Sequence, residues 1–86
     1  MRVLVVEDDR EAAGWLVKGL GESGHLTDLA TDGEQGLSLA LEARHDVAII
    51  DRMLPKLDGL SIIRKMREAD IKTPVLILSA LADVDE

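Results

Sequence analysis

Cysteine is absent from the sequence, and aromatic residues are almost absent. Without cysteine the protein can form no disulfide bond and has no thiolate to use as a nucleophile or metal ligand. This composition fits a reducing compartment, and the expected location is the cytoplasm. The single aromatic residue is Trp15, although 47% of the residues are hydrophobic, so we expect a core of aliphatic side chains.

Positively charged residues are also scarce. The sequence has 10 lysines and arginines against 17 aspartates and glutamates, which gives a net charge of −7. This imbalance disfavours direct contact with nucleic acid or with an anionic membrane surface, and it favours cations or basic protein surfaces as partners. No apolar run is long enough to span a membrane, and the first run turns acidic at Glu7, unlike a signal peptide.

Apolar runs that are typical of buried strands occur three times in the chain. Residues 3–6, 47–50 and 75–78 are continuous aliphatic stretches, as expected for parallel strands that are covered on both faces. Residues 25–31 alternate between polar and apolar side chains, which predicts a fourth and more solvated strand at an edge of the sheet.

Helical patterns fill the intervals between these strands. The first helix is expected to begin after an N-cap at Asp9 and to stop at Gly24. Asp32 and Gln35 form a capping-box-like pair that opens the second helix, and Asp58 can cap the third. The positions expected to face the core are Ala12, Ala13, Leu16 and Leu20, then Leu37, Ala40 and Leu41, then Gly59, Ile62, Ile63 and Met66.

The alternation of strands and helices predicts an α/β fold, a doubly wound parallel sheet with helices on both faces. The chain has room for four strands and three helices, and "ADVDE" at its end would start a fourth helix. No internal repeat, low-complexity tract or linker divides the 86 residues, so one domain is expected.

Polar residues that could carry chemistry follow each of the buried strands. Glu7 and Asp8 follow the first, Asp51 the second and Ser79 the third. Ligands of parallel sheets bind beyond the carboxyl ends of the strands, so these side chains are expected to meet at one edge. Crowded carboxylates repel one another, and Mg²⁺, which accepts oxygen ligands and retains water, would relieve that repulsion.

The turn after Asp51 adds a chemical possibility. A carboxylate beside bound Mg²⁺ can act as a nucleophile toward phosphorus and form an acyl phosphate. The rigid turn at Leu54 and Pro55 could direct the backbone carbonyl of Met53 back toward the metal. The Ser79 hydroxyl could then donate a hydrogen bond to a phosphoryl oxygen.

Three segments in fixed order, "VLVVEDDRE", "VAIIDRMLPKLDG" and "TPVLILSA", together resemble the receiver domain of bacterial two-component response regulators. The stretch "DRMLPKLDG" is most similar to the class whose receiver is fused to a winged-helix DNA-binding domain. The resemblance implies a flavodoxin-like sheet of order 2-1-3-4-5 and Mg²⁺-dependent phosphoryl transfer from a sensor histidine kinase. The phosphoprotein would switch an effector domain, a regulator of transcription.

The resemblance also implies a role for each residue of the predicted site. Asp51 matches the phosphoacceptor and is also expected among the metal ligands, Asp8 matches the direct metal ligand, and Glu7 the partner that usually acts through a water. The carbonyl of Met53 matches the third protein ligand of Mg²⁺, and Ser79 matches the switch hydroxyl. Catalysis would be limited to self-phosphorylation and self-dephosphorylation, so the protein is not expected to be an enzyme in the ordinary sense.

The sequence departs from the family at its carboxyl-terminal side. The family's domain runs to roughly 120 residues, with a fifth strand that follows a lysine–proline pair and a last helix. Residues 1–86 are therefore expected to be the N-terminal portion of a receiver domain, from strand 1 to strand 4. Ala80 matches a small residue that leaves access for phosphate. An uncovered fourth strand predicts a homo-oligomer.

Three other functions compete with the phosphorylated switch. A phosphorylation-independent interaction or oligomerisation module could share the fold. A Mg²⁺ phosphatase that forms an aspartyl phosphate needs an acid two residues after the nucleophile, where this chain has Met53. A flavin-binding protein could also share the fold, but the scarcity of aromatic residues disfavours it.

The remaining conspicuous residues have ordinary structural interpretations. His25 and His45 lack the spacing of metal ligands, and both are expected to be surface histidines. Trp15 lies off the apolar face of the first helix and is expected to be half-exposed.

Overall fold

The computed structural model describes residues 1–79, and the predicted alternation of strands and helices is confirmed there. The elements are β1 (Arg2–Val6), α1 (Arg10–Glu22), β2 (Leu26–Ala30), α2 (Gly33–Ala40), β3 (Val47–Asp51), α3 (Gly59–Glu68) and β4 (Val75–Leu78). The expected start of a fourth helix lies outside the described residues. Among the helices of residues 1–79, none has the length and apolar character needed to cross a bilayer.

The four strands form one parallel sheet in the order β2-β1-β3-β4, as predicted. The strands are in step at their carboxyl ends, where Val6 of β1 pairs with Ile50 of β3. Asp51, the last residue of β3, pairs with Leu78 of β4. The residues that follow the strands therefore leave the sheet at the same edge.

The main hydrophobic core lies between the sheet and the helices α2 and α3. Its members include Leu4, Val6, Ala48, Ile50, Ile62 and Met66, all exposed by 1% or less. On the opposite face, which α1 covers, Val3, Val5 and Ala13 are buried. The aliphatic core predicted from the composition is confirmed, because no aromatic side chain contributes to it.

Each helix begins after an aspartate whose side chain accepts a hydrogen bond from a backbone N–H two or three residues later. These N-caps are Asp9, Asp32 and Asp58, as predicted, with distances of 3.0, 2.8 and 2.9 Å. Each cap stabilises its helix by about 1 kcal/mol. Gly24 follows the end of α1 with φ of +87°, a conformation that glycine adopts without strain.

The expected exposures of Leu41 and Trp15 differ from the structure. Leu41 was expected to face the core but is 45% exposed, because α2 ends at Ala40 and Leu41 is only its C-cap. Trp15 is on the surface, as expected, but it is 81% exposed and not half-exposed.

The expectation that His45 lies on the surface is wrong. Its side chain is only 2% exposed, and its Nε2 lies 2.8 Å from Oδ2 of Asp28 on β2. The Nε–H of Arg2 donates to the same Oδ2 over 3.1 Å. His25 is half-buried, and its Nδ1 lies 3.2 Å from the amino group of Met1.

These contacts hold the pKa of Asp28 below its ordinary value, first through the hydrogen bond from Arg2 and then through that with His45. A carboxyl group with a lowered folded-state pKa stabilises the fold fully above its unfolded pKa of about 3.9. That contribution is lost as the pH falls through the lower folded-state value.

We therefore expect Asp28→Asn to reduce the free energy of unfolding by about 1 to 2 kcal/mol at pH 6, since it weakens two hydrogen bonds at a partly exposed group. The difference from the wild type should shrink as the pH is lowered below about 4. Urea titrations between pH 2 and 7 measure both quantities. Asp70→Asn, at a carboxyl that is 87% exposed, is the control and should change little. A difference that grows toward acid pH would contradict the assignment.

Within residues 1–79, β4 is an edge of the sheet. The carbonyl of Pro74 accepts the N–H of Ala48 on β3, and the carbonyl of Leu78 accepts the N–H of Arg52, the residue after β3. Since backbone groups alternate in direction along a parallel strand, Val75 and Ile77 turn their N–H and C=O groups away from β3. Leu76 on the same strand is 60% exposed. Natural edge strands usually carry a charge, a proline or a bulge that prevents pairing, and β4 has none within it.

A polypeptide that ends at Glu86 is therefore expected to form dimers or larger homo-oligomers through β4. Size-exclusion chromatography with light scattering on a mass-verified sample measures this. Leu76→Lys places a charge on the edge strand and should shift the population toward the monomer. A monomeric 86-residue chain with a cooperative thermal transition would contradict the prediction.

Candidate acidic site at the carboxyl edge of the sheet

Three carboxyl groups meet at the carboxyl edge of the sheet. Glu7 and Asp8 follow β1 directly, and Asp51 ends the adjacent strand β3. One carboxylate oxygen of each residue lies within 4.8 Å of those of the other two. The sequence predicted that these residues would come together, and the parallel register of β1 and β3 explains why they do.

The other predicted site residues in the described part of the chain line the same cleft. Met53 and Ser79 border it together with Leu78 and the three carboxylates. Met53 is 67% exposed, and Ser79 is exposed at the end of β4. The cleft is open to solvent on this side, so a small charged ligand could reach Asp51. Ala80, the expected phosphate-access residue, lies outside the described residues.

The backbone that follows Asp51 folds back on the strand end. Oδ1 of Asp51 accepts the N–H of Met53 over 3.1 Å, which fixes the orientation of the carboxyl group. The N–H of Gly59 donates to the carbonyl of Arg52 over 3.0 Å and closes the loop at its base. A Cβ atom at Gly59 would lie 2.3 Å from the carbonyl oxygen of Asp51, so only glycine fits there.

Glu7 is the buried member of the cluster, with 6% exposure. The pKa of Glu7 is raised to about 7, chiefly by burial and also by a hydrogen bond with Asp51 and the charges of Asp51 and Asp8, while the hydrogen bond from Asp9 acts in the opposite direction. The backbone N–H of Asp9 donates that bond to Oε2 of Glu7 over 3.1 Å. Near neutral pH the cluster therefore retains a proton that a cation could replace.

Asp9 is the site residue that sequence reasoning missed. It was interpreted only as a helix cap, and it does cap α1. Its backbone N–H also orients Glu7. The signal in the sequence was the position of Asp9 two residues after Glu7, within hydrogen-bonding reach of its side chain.

The donor set of the cluster fits a hard divalent cation. Glu7, Asp8 and Asp51 each supply a carboxylate oxygen to the cleft, which is open to solvent. Mg²⁺ binds through a few carboxylates while retaining several waters. Such a cation would also neutralise the charges of Asp51 and Asp8, which add to the effect of burial on the pKa of Glu7.

Comparison with known proteins identifies the class to which this fold and site belong. Residues 3–86 match the response regulator receiver domain family, and the chain belongs to that family. Receiver domains of this family are parts of two-component systems. The order of the strands and the acidic cluster at their carboxyl edge agree with this assignment.

The similar curated proteins are regulators of transcription. The chain is 40% identical over 85 residues to the transcriptional regulatory protein CusR of Escherichia coli K12, which covers 99% of this chain and 37% of CusR. It is 42% identical over 80 residues to DltR of Streptococcus agalactiae, which covers 93% of this chain and 36% of DltR. The chain thus spans little more than a third of these relatives.

Solved structures give the same fold. The receiver domain of the Francisella response regulator 1452 superposes with a TM-score of 0.89 at 40% identity, covering 98% of this chain and 69% of that one. The non-phosphorylated HemR receiver domain of Leptospira biflexa gives a TM-score of 0.85 at 25% identity, covering 94% and 65%.

We expect Mg²⁺ to stabilise the protein, because it relieves the repulsion in the acidic cluster only when the fold is formed. At about 100 times its dissociation constant a ligand adds about 2.7 kcal/mol, which raises the melting temperature by roughly 10 to 20 °C for a domain of this size. Thermal melts in millimolar Mg²⁺ and in EDTA measure the shift.

Asp8→Ala should abolish this shift, and it should also raise the melting temperature in EDTA, because one repelling charge is gone. Glu68→Ala, which removes an exposed carboxyl outside the cluster, is the matched control and should retain the full shift. A shift that survives in Asp8→Ala would place the metal elsewhere.

Proposed function

We propose that the protein is a phospho-accepting switch in which Asp51 receives a phosphoryl group from a sensor histidine kinase in the cytoplasm. The observation that carries the proposal is the cluster of Glu7, Asp8 and Asp51, whose oxygens lie within 4.8 Å of one another at the open edge of the sheet. Met53 and Ser79, which the family resemblance assigns to metal binding and switching, line the same cleft.

Asp51 is suited to be the nucleophile. One carboxylate oxygen of Asp51 would form a new bond to phosphorus while the P–N bond to the donor histidine breaks, and the leaving imidazole keeps the electron pair. The product is an acyl phosphate, which water later hydrolyses to restore the carboxylate. The hydrogen bond from the Met53 N–H holds the carboxyl group in one orientation before the donor arrives.

Glu7, Asp8, Asp51 and the carbonyl of Met53 would hold a Mg²⁺ ion. The ion would supply positive charge to the phosphoryl oxygens as they transfer. Of the chain's own groups, Glu7 would give up its proton near neutral pH, and the Asp9 N–H would keep its carboxylate directed at the site.

Ser79 would convert phosphorylation into a change of structure. Its side chain is exposed at the end of β4 and borders the cleft that contains Asp51. A hydrogen bond from the hydroxyl to a phosphoryl oxygen would draw the end of β4 toward Asp51. Because β4 is an edge strand within residues 1–79, such a movement would alter a surface that other protein segments can contact.

The output of the switch would lie outside these residues. The relatives CusR and DltR are regulators of transcription of which this chain spans little more than a third. We therefore propose that a DNA-binding effector in the complete protein responds to phosphorylation of Asp51. With a net charge of −7, residues 1–86 are poorly suited to contact DNA themselves.

The open edge of β4 supports one alternative, a phosphorylation-independent interaction module. The alternative makes no use of Asp51 and requires no chemistry there. It would be favoured if the protein assembles identically with and without a phosphodonor.

We expect acetyl phosphate with Mg²⁺ to add one phosphoryl group to the complete protein, and hydroxylamine to remove it, because acyl phosphates react with this nucleophile. Intact-protein mass spectrometry measures both steps. Asp51→Asn should abolish the modification. Ser79→Ala is the matched variant: it should still be phosphorylated, but it should lose the response of the effector domain. If Asp51→Asn is still phosphorylated, the acceptor is another residue.

A further inference from the structure

The loop between β3 and α3, residues 52–58, is tied to the beginning of α2 through the backbone. The N–H of Gly33, the first residue of α2, donates a hydrogen bond to the carbonyl oxygen of Pro55 over 3.0 Å. The same oxygen accepts the N–H of Leu57 over 2.8 Å, so the loop turns tightly at this point. One carbonyl group therefore joins the turn of the loop to the helix.

Gly33 makes this contact because it has no side chain. A Cβ atom at position 33 would lie 1.7 Å from the carbonyl oxygen of Leu57 and 2.5 Å from its carbonyl carbon. Both are backbone atoms, so no change of rotamer can relieve the clash. Any larger residue at position 33 would have to displace the loop or the start of α2.

Further contacts hold the loop in the same place. Lys56 has φ of 73°, in the left-handed region that lysine rarely adopts, and its Nζ lies 3.7 Å from Oδ2 of Asp32, the N-cap of α2. Leu54 and Leu57, on either side of this turn, pack against the hydrophobic core. The loop thus has a defined conformation that several independent interactions maintain.

Met53 lies between the two anchored points of this loop. It is two residues after Asp51, whose Oδ1 accepts its N–H, and two residues before Pro55, whose carbonyl is held by Gly33. With so few residues between the anchors, displacement of Pro55 must also displace the backbone of Met53. The contact at Gly33 therefore affects the position of Met53, which lines the acidic site.

We propose that Gly33 is a positioning residue: it holds the loop so that the backbone carbonyl of Met53 is presented to the metal. The inference rests on the proposed function for the assignment of Met53 as a ligand. If release of the Gly33 contact weakens Mg²⁺ binding by some factor, bound Mg²⁺ must strengthen that contact by the same factor, because the two equilibria are linked.

The substitution that tests the proposal is Gly33→Ala in the complete protein. Its dissociation constant for Mg²⁺, measured by titration calorimetry, should rise about 10- to 100-fold, the usual effect of losing a group that orients a metal ligand. Phosphorylation by acetyl phosphate at subsaturating Mg²⁺ should slow by a similar factor, because less metal is bound.

Two other glycines provide matched controls. Gly36 lies one turn further along α2, and a Cβ atom there would meet Cγ1 of Val6 at 2.7 Å, in the core and not in the loop. Gly36→Ala should lower the melting temperature but leave Mg²⁺ affinity nearly unchanged. A Cβ atom at Gly14 would meet no other atom within 4 Å, so Gly14→Ala should lower neither the melting temperature nor the Mg²⁺ affinity.

The outcomes separate this proposal from the proposed function. Wild-type Mg²⁺ affinity in Gly33→Ala, or equal losses in Gly33→Ala and Gly36→Ala, overturns the positioning role and leaves the phosphorylated switch intact. A wild-type protein that neither binds Mg²⁺ nor accepts phosphate overturns the proposed function itself.

If Gly33→Ala does not fold, amide hydrogen exchange of the wild type tests the positioning role of Gly33. Saturating Mg²⁺ should slow exchange of the Gly33 N–H by about 10-fold or more, the factor that linkage requires. The Gly24 N–H, which donates to Gly21 at the far end of α1, is the control and should not slow to that extent. Equal slowing of the two amides, or none at Gly33, overturns the proposal.

Discussion

Carboxyl groups that repel one another are held together by the hydrogen-bond register of two adjacent strands. Val6 of β1 pairs with Ile50 of β3, so Glu7 and Asp51 leave the sheet side by side. The burial of aliphatic side chains on both faces of these strands stabilises the sheet and offsets the electrostatic cost. The chemistry of the site therefore depends on the packing of the core side chains of β1 and β3.

The features that the sequence predicted well are those that depend on short stretches of chain. Aliphatic runs indicated the strands, and an aspartate before each helix indicated its start. The burial of His45 was missed because its partner Asp28 lies 17 residues earlier, and Arg2 completes the contact from another strand. Such a contact depends on which strands are neighbours in the sheet, and no local sequence pattern indicates it.

The location of the acidic site could also be predicted. The burial of Glu7 and the backbone contacts that hold the neighbouring loop could not. A polar residue after each buried strand was enough to place Glu7 and Asp51 at one edge. The shifted pKa of Glu7 arises from its burial and its neighbours in the folded protein. Gly33 gave no signal either, because its importance comes from a contact with Leu57 that forms only when α2 and the loop pack together. The metal-binding and phosphoacceptor roles themselves stay predictions.

Trp15 gives the molecule a single intrinsic fluorophore. Its side chain is 81% exposed and borders a groove that is also lined by Ala12 and Leu16 of α1 and by Leu78 of β4. Leu78 also lines the acidic cleft and directly precedes Ser79, so we expect a change at the end of β4 to alter the surroundings of the indole ring. With no other tryptophan and no tyrosine in the 86 residues, the emission of this chain comes from Trp15 alone, and a shift to shorter wavelength means that the indole ring has become less exposed to water.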